Sequence, residues 1–416
     1  MGDAVLDQLR AATADHAHAA ADSDAVDGVP ARWVAAPADT DQTAAVMKVA
    51  ATNDLAVVPR GAGTKLTWGN PPSRLDVLLD TGRLDRIVEH AAGDMIVIAE
   101  AGCRLDTLQA SLRDASQRLA LDPSGHGGIG GTIASAATGP SRLSYGAVRD
   151  LLIGLTMVRA DGVVANSGGK VVKNVAGYDL AKLLTGSYGT LGIITRAVFR
   201  LHPLPAASSV VTIPASSPAE VHDLVQKLIH SQLTPAGVEL DLPTPDDGTL
   251  GVLLEGTPNG VEGRTARTLE LLGARATSSA TPPPWWGREP FDNGDVALKI
   301  THEIGQLPSL LSAIDAASRA THQAVQVRGS VAVGTLLAGV HTDADLDIDA
   351  VARLVDALRH DAASYGGSVV VLDAPPAVKA RLDVWGPVRG LEMMRSIKHQ
   401  FDPQRRLAPG RFVGGI

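Results

Sequence analysis

A single cysteine in 416 residues, Cys103, excludes an internal disulfide, and alone it cannot hold zinc or an iron–sulfur cluster. That usage fits a reducing, cytoplasmic setting. Aromatic residues make up only 3%. No run approaches the roughly 18 apolar residues that a membrane span needs, and the longest candidate, Val331 to Val340, is strand-sized. Association with a membrane would therefore come through partners rather than direct insertion. Neither sign of charge is concentrated: 37 basic and 45 acidic residues give a net charge of −8. With no Lys/Arg-rich stripe, nucleic-acid binding is not expected. Met1 to Pro30 shows neither the basic nor the apolar region of a secretory signal.

What is abundant is glycine. The 43 glycines are about 10% of the chain against a usual share of roughly 7%. The length exceeds what one core covers, so more than one domain is expected. Residues 1–30 read as an N-terminal extension, 31–205 as one domain, 206–384 as a second, and 385–416 as a segment too short to fold alone. Within the first domain the pattern predicts a helix over Thr40–Asn53 and strands over Ala56–Val58, Asp76–Leu79 and Met95–Ala99, then a helix over Leu105–Ser116. Leu121 to Gly146 is too glycine-rich for a helix. Strands come next at Leu155–Arg159 and Val163–Ala165, a helix at Asp179–Leu184, and a strand at Leu191–Leu201. Pro203 and Pro205 close the segment.

From Ser209 onward the order of elements repeats. Ser209–Ile213, Pro218–Ser231, Ala236–Leu240, Leu250–Leu254 and Gly260–Leu272 give β-α-β-β-α. After a Pro/Trp-rich hinge, Val296–Thr301, Leu307–Ala317, Ala324–Arg328, Val331–Val340, Asp347–Asp361 and Ser368–Leu372 give β-α-β-β-α-β. Both match the ferredoxin-like order, once nearly complete and once complete. Two unrelated α+β stretches sharing an order would look the same. A final helix is expected over Leu391–Gln400.

Three glycine clusters carry chemical meaning. Pro59-Arg60-Gly61-Ala62-Gly63-Thr64 comes after a short strand, where successive backbone N–H groups can turn inward as an anion-binding concavity and Arg60 can add charge. A tight turn after a strand would also use these residues. Gly125, Gly127 and Gly130 spell G-x-G-x-x-G, but the lead-in Leu121-Asp122-Pro123-Ser124 reads as a turn, and Gly139-Pro140 interrupts the stretch Ile133 to Thr138 where a helix would have to run. The context therefore speaks against a Rossmann fingerprint. Bare backbone lying flat against a bulky ligand accounts better for the composition. The third cluster, Gly186-Ser187-Tyr188-Gly189-Thr190-Leu191-Gly192, runs into an apolar strand and reads as a loop around a flat group, or as an ordinary loop before a buried strand.

Taken in order, Pro59 to Thr64, Ile129 to Ala134, Tyr145 to Asp150, Gly177 to Leu180 and Gly186 to Thr195 resemble the FAD-binding domain of the vanillyl-alcohol oxidase/PCMH flavoprotein superfamily. Ile397-Lys398, Phe401-Asp402-Pro403 and Pro409 to Phe412 resemble that superfamily's closing segment, which returns to the flavin domain. The resemblance covers roughly residues 30–205 and 385–416. It implies an α+β fold: a PCMH-type FAD-binding domain of two α/β subdomains plus a cap of duplicated ferredoxin-like units. It also implies cofactor contacts from Pro59, Arg60, Gly61, Ala62, Gly63 and Thr64, and from Pro123, Gly130, Gly131, Thr132, Ala134, Ser135 and Gly139. Further contacts would come from Tyr145, Gly146 and Asp150, from Gly177 and Tyr178, and from Gly189, Gly192, Ile193 and Ile194. Relatives that attach FAD covalently often use a histidine in the first loop. Residues 61–65 are Gly, Ala, Gly, Thr and Lys, so non-covalent FAD is expected.

Within the superfamily the chain resembles the FAD-binding E subunits of bacterial glycolate oxidase in its length and in Trp285-Trp286-Gly287-Arg288-Glu289. It also resembles them in lacking the spaced cap histidines that bind a divalent metal in the D-2-hydroxyacid dehydrogenases. Of that strand, Arg328 to His341, only His341 remains, which implies no metal site. A 2-hydroxy acid substrate needs a base for its hydroxyl proton and a cation for its carboxylate. Arg142, Arg328, Lys170 and Lys173 are candidate cations, although Lys170 and Lys173 read more simply as solvated loop charges; no base stands out. Two functions are implied. One is a flavin-carrying subunit that supports oxidation of glycolate to glyoxylate, with a homologous catalytic flavoprotein subunit and an iron–sulfur subunit as partners. The other is a stand-alone FAD enzyme acting on a 2-hydroxy acid or other alcohol. Trp285 and Trp286 are candidates for an interface anchor or for a hinge packed on the cap.

Overall fold

The structure, a computed structural model, describes residues 2–170, 179–342 and 346–416. Lys173, Gly177 and Tyr178 lie outside the described residues. Three sheets organise what positions the site. A four-stranded sheet runs Ala17–Ala19, Trp33–Ala35, Val77–Asp80, Val57–Arg60, with the last three strands parallel. Its helix Thr40–Thr52 starts where the Asp39 carboxylate accepts the Gln42 N–H at 2.7 Å, satisfying a first-turn donor. An antiparallel five-stranded sheet has the order Ile87–Ala91, Ile96–Glu100, Ile193–Arg200, Leu152–Val158, Val164–Gly168. Phe199, fully buried at its centre, packs with Leu108, Leu112, Ile129 and Ile133.

The third sheet has eight strands, ordered Thr277–Ser279, Ala207–Ala215, Asp247–Gly256, Gly237–Thr244, Gln326–Ser330, Thr335–Val340, Val296–Thr301, Ser368–Asp373. It is two β-α-β-β-α-β units, each with strand order 4-1-3-2, joined edge to edge where Gly237–Thr244 pairs with Gln326–Ser330. The sequence missed the last strand of the first unit, Thr277–Ser279, because it is a fully exposed edge with no apolar residue to set a pattern. It also reads Val331 to Val340 as one strand, whereas Val331–Val333 is a 3-10 turn. The break is Gly334, at φ +68°, where a Cβ would lie 2.1 Å from the His302 carbonyl oxygen. Residues 121–146, expected to exclude helix, contain the short helices Ile129–Ala134 and Arg142–Tyr145.

Helices Pro218–Ile229, Pro258–Leu272, Leu307–Thr321 and Ile348–Ser364 cover one face of the large sheet, burying Leu240, Leu298, Ile300, Val327, Leu336, Val369 and Val371. The other face, by the period of two, presents Glu239, Lys299, Arg328, Ser330, Thr335, Leu337 and Val370 toward the flavin-type domain. The C-terminal segment returns to the first sheet: Val57 N–H donates to the Arg406 carbonyl at 2.8 Å, and Ala408 N–H to the Val57 carbonyl at 2.8 Å. Among the described residues no helix is long and apolar enough to cross a membrane.

Candidate functional site

Two cavities meet between the domains. The first is a cleft of about 910 Å3 lined by Pro59, Gly61 to Leu66, Ala101, Gly130 to Thr132, Gly189, Gly192 to Ile194 and Arg411, among others. The second, about 1360 Å3, lies between residues 136–142 and the open face of the large sheet. They share Lys65, Pro123, Ser124, Ser135, Ala137 and Tyr188, so a molecule lying in the first reaches the mouth of the second.

Of the residues the sequence proposed, Pro59, Gly61, Ala62, Gly63, Thr64, Pro123, Gly130, Gly131, Thr132, Ala134, Ser135, Gly189, Gly192, Ile193 and Ile194 line the first cleft. Gly139 lines the second. Four are not brought to either wall. The Arg60 guanidinium is held by Asp24 and Asp80 at 2.8 Å each, bracing the loop from behind. The Tyr145 hydroxyl donates to Glu255 at 3.1 Å, and Asp150 accepts the Ala147 N–H at 2.8 Å beneath Gly146. Lining residues that the sequence did not single out include Lys65, Thr81, Ala101, Ser124 and Gly128, together with Tyr188 and Arg411. The last two sit inside the superfamily-like motifs, and only their exposure to the cleft was unreadable.

The first cleft fits a dinucleotide on three observations. Among the described residues, no protein acceptor takes the backbone N–H groups of Gly61 to Lys65, which leaves five consecutive donors for an anion such as a pyrophosphate. Gly131 is exposed in the cleft wall, and a Cβ there would meet nothing within 4 Å; its missing side chain makes room for something other than protein. The Arg411 guanidinium is buried and donates to the Leu66 carbonyl and, at 2.8 Å, to the Trp68 carbonyl, while its Nε has no partner. Burial pulls this group down to about 10. FAD would therefore be held largely by main chain, with Arg411 offering a buried positive charge beside it.

The second cavity is polar on one wall and apolar on the other. Two rows of side chains cross the large sheet, set by strand register: Glu239, Ser330, Thr335, Thr301, Ser368, and next to it Asp241, Arg328, Leu337, Lys299, Val370. Arg328, a candidate cation, is already neutralised by Asp241, at 2.7 Å from Nε and 2.6 Å from Nη2. Lys170 pairs with Glu89 at the surface. Among the described residues the Arg142 guanidinium reaches only the Thr335 hydroxyl, at 3.3 Å. Lys299, opposite it, has no hydrogen-bond or ion-pair partner among the described residues, and burial together with Arg142 holds its ammonium below the usual lysine range. His341 lines neither cavity and sits 2.7 Å from Asp295. Among the described residues no three His, Cys, Asp or Glu side chains gather as a metal site. Trp68, Tyr188, Leu372, Trp385 and Phe412 form the apolar side.

Family comparison agrees with this geometry. Residues 31–168 match the FAD binding domain and residues 384–412 the C-terminal domain of FAD linked oxidases. An uncharacterized FAD-linked oxidoreductase of Mycobacterium tuberculosis is 25% identical over 92% of this chain and 91% of its own length. Glycolate oxidase subunit GlcE of Escherichia coli is 33% identical over 52% of this chain and 59% of that subunit. The fold of p-cresol methylhydroxylase with substrate bound superposes with a TM-score of 0.75 at 16% identity, covering 98% of this chain and 96% of that one. The chain therefore carries the FAD binding domain and the C-terminal domain of FAD linked oxidases, its fold is that of p-cresol methylhydroxylase, and it is an FAD-linked oxidoreductase whose cofactor is FAD.

Proposed function

We propose that this chain is the FAD-bearing subunit of a glycolate oxidase-type system and that it takes a 2-hydroxy acid such as glycolate into its own second cavity, yielding the 2-oxo acid. The carrying observation is the pair Arg142 and Lys299, two cations facing one cavity with no carboxylate between them. Half-buried like charges are costly unless an anion joins them, and a substrate carboxylate supplies that anion. When bound, FAD supplies the two-electron acceptor. The chain's own part is to hold the carboxylate, to shield the alcohol carbon from water with Trp68, Tyr188 and Trp385, and to receive the hydroxyl proton. The likeness to GlcE supports placement in a complex, and with Cys103 as its one cysteine the chain would hand electrons to an iron–sulfur partner. The other reading, in which a homologous subunit performs the oxidation, is favoured by the loss of cap histidines down to His341.

Anaerobic mixing of the purified chain with glycolate or D-lactate, monitored by flavin absorbance, separates the two. Bleaching is expected; an unchanged spectrum would move the oxidation to the homologous subunit. Arg142→Met and Lys299→Met should each raise the half-saturating acid concentration about 10- to 100-fold, the worth of a hydrogen bond to a charged group, at unchanged flavin content. A titration curve that does not move would remove these residues from the carboxylate site.

The FAD should be non-covalent. Among the described residues neither a histidine nor a cysteine lines either cavity, and the Tyr188 phenol is buried and held far above its ordinary range. Acid precipitation should leave the yellow colour in the supernatant; a yellow pellet would contradict this.

A further inference from the structure

Glu239 stands apart from the carboxylates in and near the second cavity. It is 5% exposed, lines the cavity, and its only partner among the described residues is the Ser330 hydroxyl, which donates to Oε1. Asp241, two residues on and on the same face, is locked by Arg328. Asp122 is consumed by Ser141, accepting its N–H at 3.1 Å and its hydroxyl at 2.7 Å. Glu289 lies 3.9 Å from Lys65. A buried carboxyl without a cation contributes nothing as an ion pair, and a core position would be better filled by an apolar side chain. Its retention at a cavity wall points to proton chemistry.

We propose that Glu239 is the catalytic base that accepts the substrate's C2 hydroxyl proton, with Ser330 as its positioning residue. The assignment rests on the reaction proposed above. Adjacent strands lie about 4.8 Å apart, so Thr335, on which Arg142 rests, is two strands or about 10 Å from Glu239 along its row. With the carboxylate drawn to Arg142 and Lys299, the hydroxyl is left to face the carboxyl end of the row. The O–H bond breaks with its proton passing to the Glu239 carboxylate. The C2–H hydrogen leaves with its bonding pair as a hydride, for which bound FAD would be the acceptor, and the C–O bond becomes a carbonyl. The substrate thus loses two electrons, for which bound FAD would supply the acceptor. The water-exposed end of the cavity then returns the proton from Glu239 to solvent.

Burial pushes Glu239 up to about 8, with Asp122 adding to the rise and the Ser330 hydrogen bond opposing it. The groups that act on it are Ser330, whose hydroxyl donates to it, and Asp122, whose charge adds to the rise; the neutralised Asp241–Arg328 pair stands in the neighbouring row of the sheet, and the cations Arg142 and Lys299 line the same cavity farther along. Below that value the side chain holds its proton and cannot act as a base; above it the carboxylate is free. The rate of flavin reduction should therefore rise with pH through about 8.

The test is rapid-mixing reduction of the holoprotein and of its Glu239→Gln, Glu239→Asp and Ser330→Ala variants across pH, with infrared difference spectra of the same proteins. Glu239→Gln should reduce about 10²- to 10⁴-fold more slowly, the usual worth of a general base, with unchanged flavin content and acid binding, and should lose the pH dependence. Glu239→Asp should recover part of the rate, and Ser330→Ala should shift the apparent pKa without abolishing reduction. A protonated-carboxyl band should vanish as pH rises through about 8 in the parent and be absent from Glu239→Gln. If the parent reduces its flavin and Glu239→Gln does so equally fast, the assignment to Glu239 is overturned while the reaction stands. If the parent is inert to every 2-hydroxy acid, the reaction falls and the base with it.

Discussion

A Gly131→Leu variant should fold, melt no lower than the parent, and elute without flavin. Gly131 lies inside the helix Ile129–Ala134, where a Cβ would meet no protein atom within 4 Å. Leucine is also a better helix former than glycine by close to 1 kcal/mol, so the apoprotein gains rather than loses. The new side chain projects into the cleft that the FAD must fill. Overpacking by a whole side chain costs several kcal/mol when neither surface can retreat, and every 1.4 kcal/mol is tenfold in Kd, so affinity should fall by at least about 100-fold. Its neighbour is the control. At Gly130 a Cβ would sit 2.8 Å from the Ala101 Cβ, so Gly130→Leu should destabilise the protein itself. Flavin content by absorbance and melting of the apoproteins give both readouts. A flavin-loaded Gly131→Leu protein would show that the cofactor does not pass that wall.

This pair also shows what was legible beforehand. Clustered glycines announced that backbone must come close to something, but the sequence cannot say whether the close partner is protein, as at Gly130, or ligand, as at Gly131. Only the three-dimensional neighbours decide. The duplicated order of strands and helices was readable because buried strands such as Val296–Thr301 carry an apolar pattern, while Thr277–Ser279 carries none. The polar wall of the second cavity was half readable. Glu239 and Asp241 alternate with Val238, Leu240 and Leu242, which places both on one face of a strand. That Arg328 falls opposite Asp241 and Ser330 opposite Glu239 depends on register between strands some 90 residues apart, which no local pattern encodes. The separation of a spent carboxylate from a free one therefore appears only in the fold.

Lys398→Met should be among the most damaging substitutions in the chain, although from sequence it looks harmless. Lys398 on the final helix and Asp402 at its C-terminal cap stand four apart, a spacing that within a surface helix is worth about 0.3–0.5 kcal/mol. Here both are buried, with side chains 3% and 0% exposed. The ammonium uses all three donors at 2.8 Å: on Asp402, on the Leu407 carbonyl, and on the Thr190 carbonyl. Leu407 runs beside Val57 at the base of the first glycine loop, and Thr190 lies in the third. One side chain thus ties the closing segment to two walls of the FAD cleft. Methionine keeps most of the volume, strands two carbonyls, and leaves Asp402 with only the N–H groups of Arg406 and Leu407. Breaking a buried pair from one side costs about 3–5 kcal/mol, and that loss should appear in denaturant unfolding of the apoprotein. Because the Thr190 loop loosens as well, FAD should bind more weakly than in the parent even where the variant is fully folded. In Lys398→Met/Asp402→Asn the stranded charge is gone, so the double variant should be destabilised by about 1 kcal/mol or more less than the sum of the two singles. Strict additivity would mean that the pair is not the hub its hydrogen bonds describe.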